Sequence, residues 1–312
     1  MAALSDTPDE RGSRELHFLF GVAPRSGTTY LGDLLALHPR CALPADLPED
    51  GFLKALGALD GYVAEVQSLW QSWPDLAVPT SAELRAAVGA GLGDLLCTRS
   101  GAEFTLSKTP YPTNLHRLRE VFPDSKAVVI IRDGRSVTES MVRTWSMRFD
   151  MAAALFRDGA RSVLQAIPNP DSPPAHLHLV RYEDLFEDTQ RVLNDVLGFF
   201  GLEADEMPSG AIADLPVRGS STARGDKDGA GDVHWEAVKR PADFNPVDRW
   251  SAWDERQHRK FAAVAGPENV ALGYDAATAQ ASDRATERAF SLRRTVARWI
   301  KSTDTRRPFG GI

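Results

Sequence analysis

The run Lys126-Ala-Val-Val-Ile-Ile-Arg132 constrains the fold of this chain more than any other segment. It is continuous, β-branched and bounded by charge. Such a run reads as a strand covered on both faces, the kind found in parallel sheets. Leu16 to Val22 (LHFLFGV) and His176 to Tyr182 (HLHLVRY) read as further strands, and Phe104 to Leu106 as a short one. Apolar residues at helical spacing follow three of them: from Thr29 to Leu37, from about Arg135 to Trp145, and in a helix ending near Phe200. Leu115 to Phe122 also reads as a helix. Strands alternating with helices predict an α/β fold, a central parallel sheet flanked by helices.

The 312 residues suffice for one large domain of this kind. Residues 1–14 read as a flexible tail and 15–275 as the folded domain. Within it, prolines divide 40–105 into short helical pieces suited to an acceptor pocket; Trp70 and Trp73 there read as core. Residues 218–234 (RGSSTARGDKDGAGDVH) form a long loop, either a surface excursion or a lid. Residues 276–312 read as a basic helical extension, with Arg284, Arg288, Arg293, Arg294, Arg298 and Lys301, suited to a membrane surface, self-association or docking on its own domain.

The formal net charge of −7 argues against a nucleic-acid-binding protein, but leaves room for a local basic site. The two cysteines, Cys41 and Cys97, have no metal-like spacing and suit a reducing compartment. No signal pattern and no apolar run of ~20 residues is present, so a cytoplasmic location is expected. His176 and His178 lack companions and read as structural, and no metal site is expected.

The turn Ala23-Pro24-Arg25-Ser26-Gly27-Thr28-Thr29-Tyr30 joins the first strand to a helix. Gly27 admits backbone conformations that other residues resist. The amides of Ser26 to Tyr30 can converge on one anion at the positive end of the helix. Ser26, Thr28 and Thr29 add hydroxyls, and Arg25 adds charge. An ATP-binding loop needs G-x-x-x-x-G-K-[ST], and Thr28 stands where that lysine would be. Asp133 after the apolar strand is therefore a weak candidate for magnesium binding.

From Gly21 to Leu31 this segment resembles the 5′-phosphosulfate loop of sulfotransferases that use 3′-phosphoadenosine-5′-phosphosulfate (PAPS; product PAP). Further segments recur in that family's order. Arg132 at a strand end, with Ser140 eight residues on, resembles the family's 3′-phosphate site. A guanidinium fork and a hydroxyl two turns into the next helix can share one phosphate. Val180-Arg181-Tyr182-Glu183-Asp184-Leu185 resembles the segment whose tyrosine lies against adenine. Arg218-Gly219-Ser220-Ser221-Thr222, with Trp235 and Lys239 beyond, loosely resembles a late loop that closes over the 3′-phosphate. The Pro-Arg-Ser-Gly-Thr-Thr loop is nearest the broad bacterial and tyrosyl-protein-like branch. The steroid and phenol branch instead carries a loop lysine and a histidine base, which this chain lacks at Lys108-Thr109-Pro110.

The resemblance implies a P-loop-NTPase-like sulfotransferase fold and PAPS as cofactor. It implies transfer of sulfonate to a hydroxyl of an acceptor: a sugar, a lipid, a phenolic metabolite or a tyrosine. Lys108 matches a family lysine that touches the sulfonate, and Arg25 is the second cation. The base is Asp46 by position after His38-Pro39, with Glu49 as the reserve. The alternatives are a nucleotide kinase, disfavoured by the missing loop lysine, and a non-catalytic PAP-binding module.

Overall fold

The computed structural model describes residues 14–44, 47, 49–73, 76–213, 215 and 246–274. The expected N-terminal tail, the 218–234 loop and the basic C-terminal extension lie outside the described residues, apart from Arg14.

Five parallel strands form one sheet: β1 (Glu15–Gly21), β2 (Cys41–Ala42), β3 (Phe104–Thr109), β4 (Ala127–Ile131) and β5 (Leu177–Arg181). Their order is β2-β3-β1-β4-β5. β1 pairs with β3 on one side and β4 on the other, for example Phe20 opposite both Thr109 and Val129. Alternation along the central strands explains both buried faces. Phe18, Phe20, Val129 and Ile131 join one apolar core, while Leu19, Leu106, Val128 and Ile130 join the other. The expected parallel α/β architecture is thus present.

The helices are α1 (Thr28–Leu35), α2 (Leu56–Trp70), α3 (Ser81–Ser100), α4 (Leu118–Val121), α5 (Gly134–Trp145), α6 (Phe149–Ala166), α7 (Tyr182–Glu187), α8 (Thr189–Phe200) and α9 (Glu255–Ala271). α1 and α8 cover one face; α5, α6 and α9 pack together on the other. Gly159 lets α6 lie directly on the root of the β1–α1 loop, since a Cβ there would come 1.7 Å from the Val22 carbonyl oxygen.

The sequence expectations need four corrections. The 40–105 segment is built around two long helices, not short pieces. α3 starts with a capping box, Thr80 receiving the Glu83 N–H, and ends at Gly101 with φ 71°. Trp73 is 54% exposed and so is not core. The helix ending at Phe200 is two helices, because Asp188 ends α7 and caps α8 through the Arg191 N–H. Finally, α6 and α9 had no counterpart in the sequence reading. α6 has a strongly amphipathic sequence that turns Phe156, Ala160 and Val163 inward; α9 begins with a capping box between Asp254 and Gln257.

Among the described residues, no helix is long and apolar enough to cross a membrane. No group of three or more His, Cys, Asp or Glu side chains is placed to hold a metal ion there.

Candidate active site

Every described residue named for the site, Glu49 apart, lies at or just beyond the carboxyl end of a strand or on the helix that follows. Parallel strands place these ends along one edge of the sheet, where open α/β folds bind ligands. Because β1 sits between β3 and β4, the site has a β4 side and a β3 side.

The loop after β1 is tightly turned. Arg25 has φ 74° and Gly27 has φ 108°. Gly27 is required twice over: its φ is left-handed, and a Cβ would come 2.3 Å from the Tyr182 ring. Ser26 is fully buried and donates its hydroxyl to the Ala23 carbonyl at 2.6 Å. Its side chain therefore shapes the loop. The first-turn N–H groups of α1, from Thr28 to Tyr30, precede the first intrahelical bond, from Leu31 N–H to the Gly27 carbonyl. They form the positive end of the helix. The Tyr30 hydroxyl meets Thr189 Oγ1 at 3.2 Å, on the α8 side.

On the β4 side, Ser140 is buried on α5 and its hydroxyl meets two guanidiniums. Arg25 Nε approaches at 3.1 Å and Arg249 Nη1 at 3.2 Å. Arg132 joins them, donating from Nη1 to the Arg25 carbonyl at 2.8 Å and lying 4.4 Å over the Tyr182 ring. The Tyr182 side chain, assigned by resemblance to adenine, is itself buried between Gly27 and Arg132. Arg25 also stacks on half-exposed Trp145, 5.9 Å from its ring centre.

Three guanidiniums in one place repel each other. Burial first, then repulsion from Arg132, pulls Arg25 down to about 10. The same causes, with Arg25 added, pull Arg249 down to about 9. Arg132 Nε is buried without a hydrogen-bond partner among the described residues. Such a cluster is disposed to take up an anion of multiple charge.

Arg249 escaped the sequence reading, which put the late cofactor residues at Arg218, Gly219, Ser220 and Ser221, outside the described residues. It stands between Pro246 and Trp250, 109 residues beyond Ser140, with no motif to mark it. Local fastenings bring it in. Arg132 donates to the Pro246 carbonyl and Ser136 to the Val247 carbonyl. Arg135 lies 3.7 Å over the Trp250 ring, and Trp253 Nε1 donates to Glu139 at 2.7 Å.

Asp133 has no free role as a metal ligand in this arrangement. It caps α5 through the Arg135 N–H and binds the Arg135 guanidinium, with Nη2 to Oδ2 at 2.6 Å. On β5, His178 stacks on Phe199 at 5.1 Å.

On the β3 side, Lys108 runs beside α1, where a Cβ on Gly32 would meet its Cδ at 3.6 Å. Glu49 keeps an exposed face, yet loss of water pushes its carboxyl above the ordinary value. Lys108 and Lys54 oppose that rise, and Asp50 adds to it. Glu49 is thus within electrostatic reach of Lys108, and Tyr111 feels its charge too. Asp46 lies outside the described residues.

Three comparisons bear on this geometry. No curated protein matches the sequence. Similar solved structures include the sulfotransferase domain from the Synechococcus PCC 7002 olefin synthase, at 20% identity, covering 85% of this chain and 97% of that one, with TM-score 0.48. A sulfotransferase from Alicyclobacillus acidocaldarius shares 13% identity over 83% of this chain and 94% of that one, with TM-score 0.48. Mouse sulfotransferase SULT7A1 complexed with PAP shares 12% over 91% and 90%, with TM-score 0.42. A family model described as Sulfotransferase family matches residues 18–206, which run from β1 past α8 and take in the β1–α1 loop, Lys108, Arg132, Ser140 and Tyr182. With more than half of its length matched, the chain belongs to the sulfotransferase family.

Proposed function

We propose that this chain transfers the sulfonate group of PAPS to a hydroxyl of an acceptor. One observation carries the reading: Arg25 and Arg249 meet on Ser140 with Arg132 beside them, next to a helix N-terminus. The residues fit a ligand with phosphate at one end and phosphosulfate at the other. The buried, unpartnered Nε of Arg132 is a donor waiting for an acceptor.

In this reading Arg132, Ser140 and Arg249 hold the 3′-phosphate. The amides of Ser26, Gly27, Thr28, Thr29 and Tyr30, with the hydroxyls of Thr28 and Thr29, hold the 5′-phosphosulfate, while the Ser26 hydroxyl shapes the loop. Tyr182 backs both, under Gly27 and Arg132. The resemblance gives Arg218, Gly219, Ser220 and Ser221, which lie outside the described residues, a part in binding the 3′-phosphate. When bound, PAPS supplies an activated sulfonate on a good leaving group. Glu49 takes the proton of the acceptor hydroxyl: it keeps an exposed face within electrostatic reach of Lys108, whereas the Asp50 carboxylate is engaged by Ser107 and Phe52. Asp46 is the competing base from sequence position. Lys108 places positive charge beside the sulfonate and the bridge oxygen, where negative charge grows as the S–O bond to the departing PAP breaks, and Arg25 adds to the field from the β4 side. The loop and the arginines fix the donor so that attack runs in line.

Titration calorimetry with PAP and ADP, followed by mass spectrometry of acceptor panels with PAPS, tests this. Tight PAP binding, weaker ADP binding and a mass gain of one sulfonate are expected. Binding of ADP in preference to PAP would reject it in favour of a nucleotide kinase. PAP binding without transfer to any sugar, lipid, phenol or tyrosine would favour a non-catalytic module.

A further inference from the structure

Neither a motif nor the resemblance singles out Asp50, yet hydrogen bonds tie it to β3 and to the entry of α2. Its Oδ2 accepts the Ser107 hydroxyl at 2.7 Å. Its Oδ1 accepts the Phe52 N–H at 2.9 Å. Its own N–H donates to the Lys108 carbonyl at 3.3 Å. The first and third bonds grip β3 at two successive residues, one of them Lys108. The second is an Asx turn, which with Gly51 at φ 67° bends the chain toward α2. The carboxylate therefore joins strand, loop and helix entry in one knot.

We propose that Asp50 is a positioning residue, fastening the loop to β3 so that its neighbour Glu49 stays within reach of the Lys108 ammonium. This rests on the reading of Glu49 and Lys108 as base and cation. Among the described residues Glu49 has no comparable anchor: it keeps an exposed face, and its setting is given by what Asp50 holds. Among the described residues, the charged and titratable groups facing Glu49 are Lys108 from β3, Lys54 from the turn before α2, Tyr111 after β3, and Asp50 itself. Lys54 is in turn held over the Tyr111 ring at 4.8 Å. Burial raises the Asp50 carboxyl while the Ser107 and Phe52 bonds oppose that rise. Its hydrogen bonds are thus what keep it useful as an anchor.

The test follows the carbon-13 signal of the Glu49 carboxyl in glutamate-labelled full-length protein, assigned by its loss in Glu49→Gln. Lys108→Gln should raise the Glu49 midpoint in the otherwise native chain, because a cation that favours the carboxylate is gone. In an Asp50→Ala background the same substitution should move it less than half as far. Asp50→Asn should restore most of the response, since its amide oxygen still accepts from the Phe52 N–H and its amide nitrogen can donate to the Ser107 hydroxyl oxygen, which keeps the strand contact. An equal Lys108 effect with and without Asp50, no effect in the native chain, or no restoration by asparagine overturns the proposal. If Asp50→Ala does not fold, Ser107→Ala cuts the same bond from the strand and must show the same loss. PAP calorimetry on the native chain runs alongside. Absence of PAP binding would sink the sulfotransfer reading, while the Glu49 titration still judges Asp50.

Discussion

The two sides of β1 are built differently. On the β4 side, Arg132, Ser140 and Arg249 are buried, and each is fixed by residues distant in sequence. On the β3 side, Glu49 and Lys108 are more open, and a single short loop bonded to one strand sets their relation. The first arrangement suits holding an anion, because rigid, desolvated guanidiniums need no reorganisation when it arrives. The second suits a group that must exchange a proton with an incoming acceptor and remain reachable from water. Affinity for the donor should therefore belong to one side, and turnover to the other.

The largest effect expected is on turnover. Glu49→Gln keeps the shape but cannot take a proton, so the transfer rate should fall by ~100-fold or more with PAP affinity nearly unchanged. The native rate should decline with acid at a pH above the usual carboxylate range, because the carboxyl is raised and must be ionised to act. Asp46→Asn is the comparison. Full activity in Glu49→Gln with loss in Asp46→Asn would move the base to Asp46, leaving the two-sided division intact.

Next comes donor affinity. Arg132→Ala and Ser140→Ala should each weaken PAP binding while turnover at saturation changes less. Loss of a charge-assisted contact costs roughly 1.5–3 kcal/mol, or roughly 10- to 100-fold in affinity for the arginine. ADP, without the 3′-phosphate, should respond less. Calorimetry showing PAP and ADP equally affected would break the assignment of this side to the 3′-phosphate.

Arg249→Met should sharpen it further by separating stability from binding. The folded state holds Arg249 at about 9, well below the ordinary arginine value, so the charge is disfavoured there and costs stability at neutral pH. Removing it should raise the melting temperature without PAP and shrink the rise that PAP gives. A lower melting temperature in the absence of PAP would show that the arginine holds the fold together instead.

The smallest effect lies away from both sides. Asp60 on α2 accepts from Arg117 at 2.8 Å and Arg85 at 2.9 Å. These partners hold its carboxyl down at about 2. Its stabilising contribution is present above the ordinary carboxylate value and lost as pH falls toward about 2. Asp60→Asn should thus melt slightly lower than the native chain at neutral pH, with the gap closing through that acid window. The pair is partly exposed, so salt should narrow the gap as well.

The sequence by itself determined the parallel sheet and the tight strand-to-helix turn after its first strand. Ala127–Ile131 is apolar on both faces, and Gly27 sits between hydroxyl residues at a strand-to-helix turn; these are local patterns, written in consecutive residues. That Arg132 and Ser140 would share one strand–helix unit was legible for the same reason, since they stand eight residues apart. The long helices α2 and α3 were hidden by the prolines around them, and α6 and α9 by weak boundary signals. Only the tertiary structure brought Arg249 to Ser140, and Asp50 to Ser107, across separations of 109 and 57 residues. Neither pair follows any period of helix or strand. Each is closed by packing between elements, which no local spacing encodes, so chain position alone leaves Arg249 an ordinary basic residue and Asp50 an ordinary acidic one.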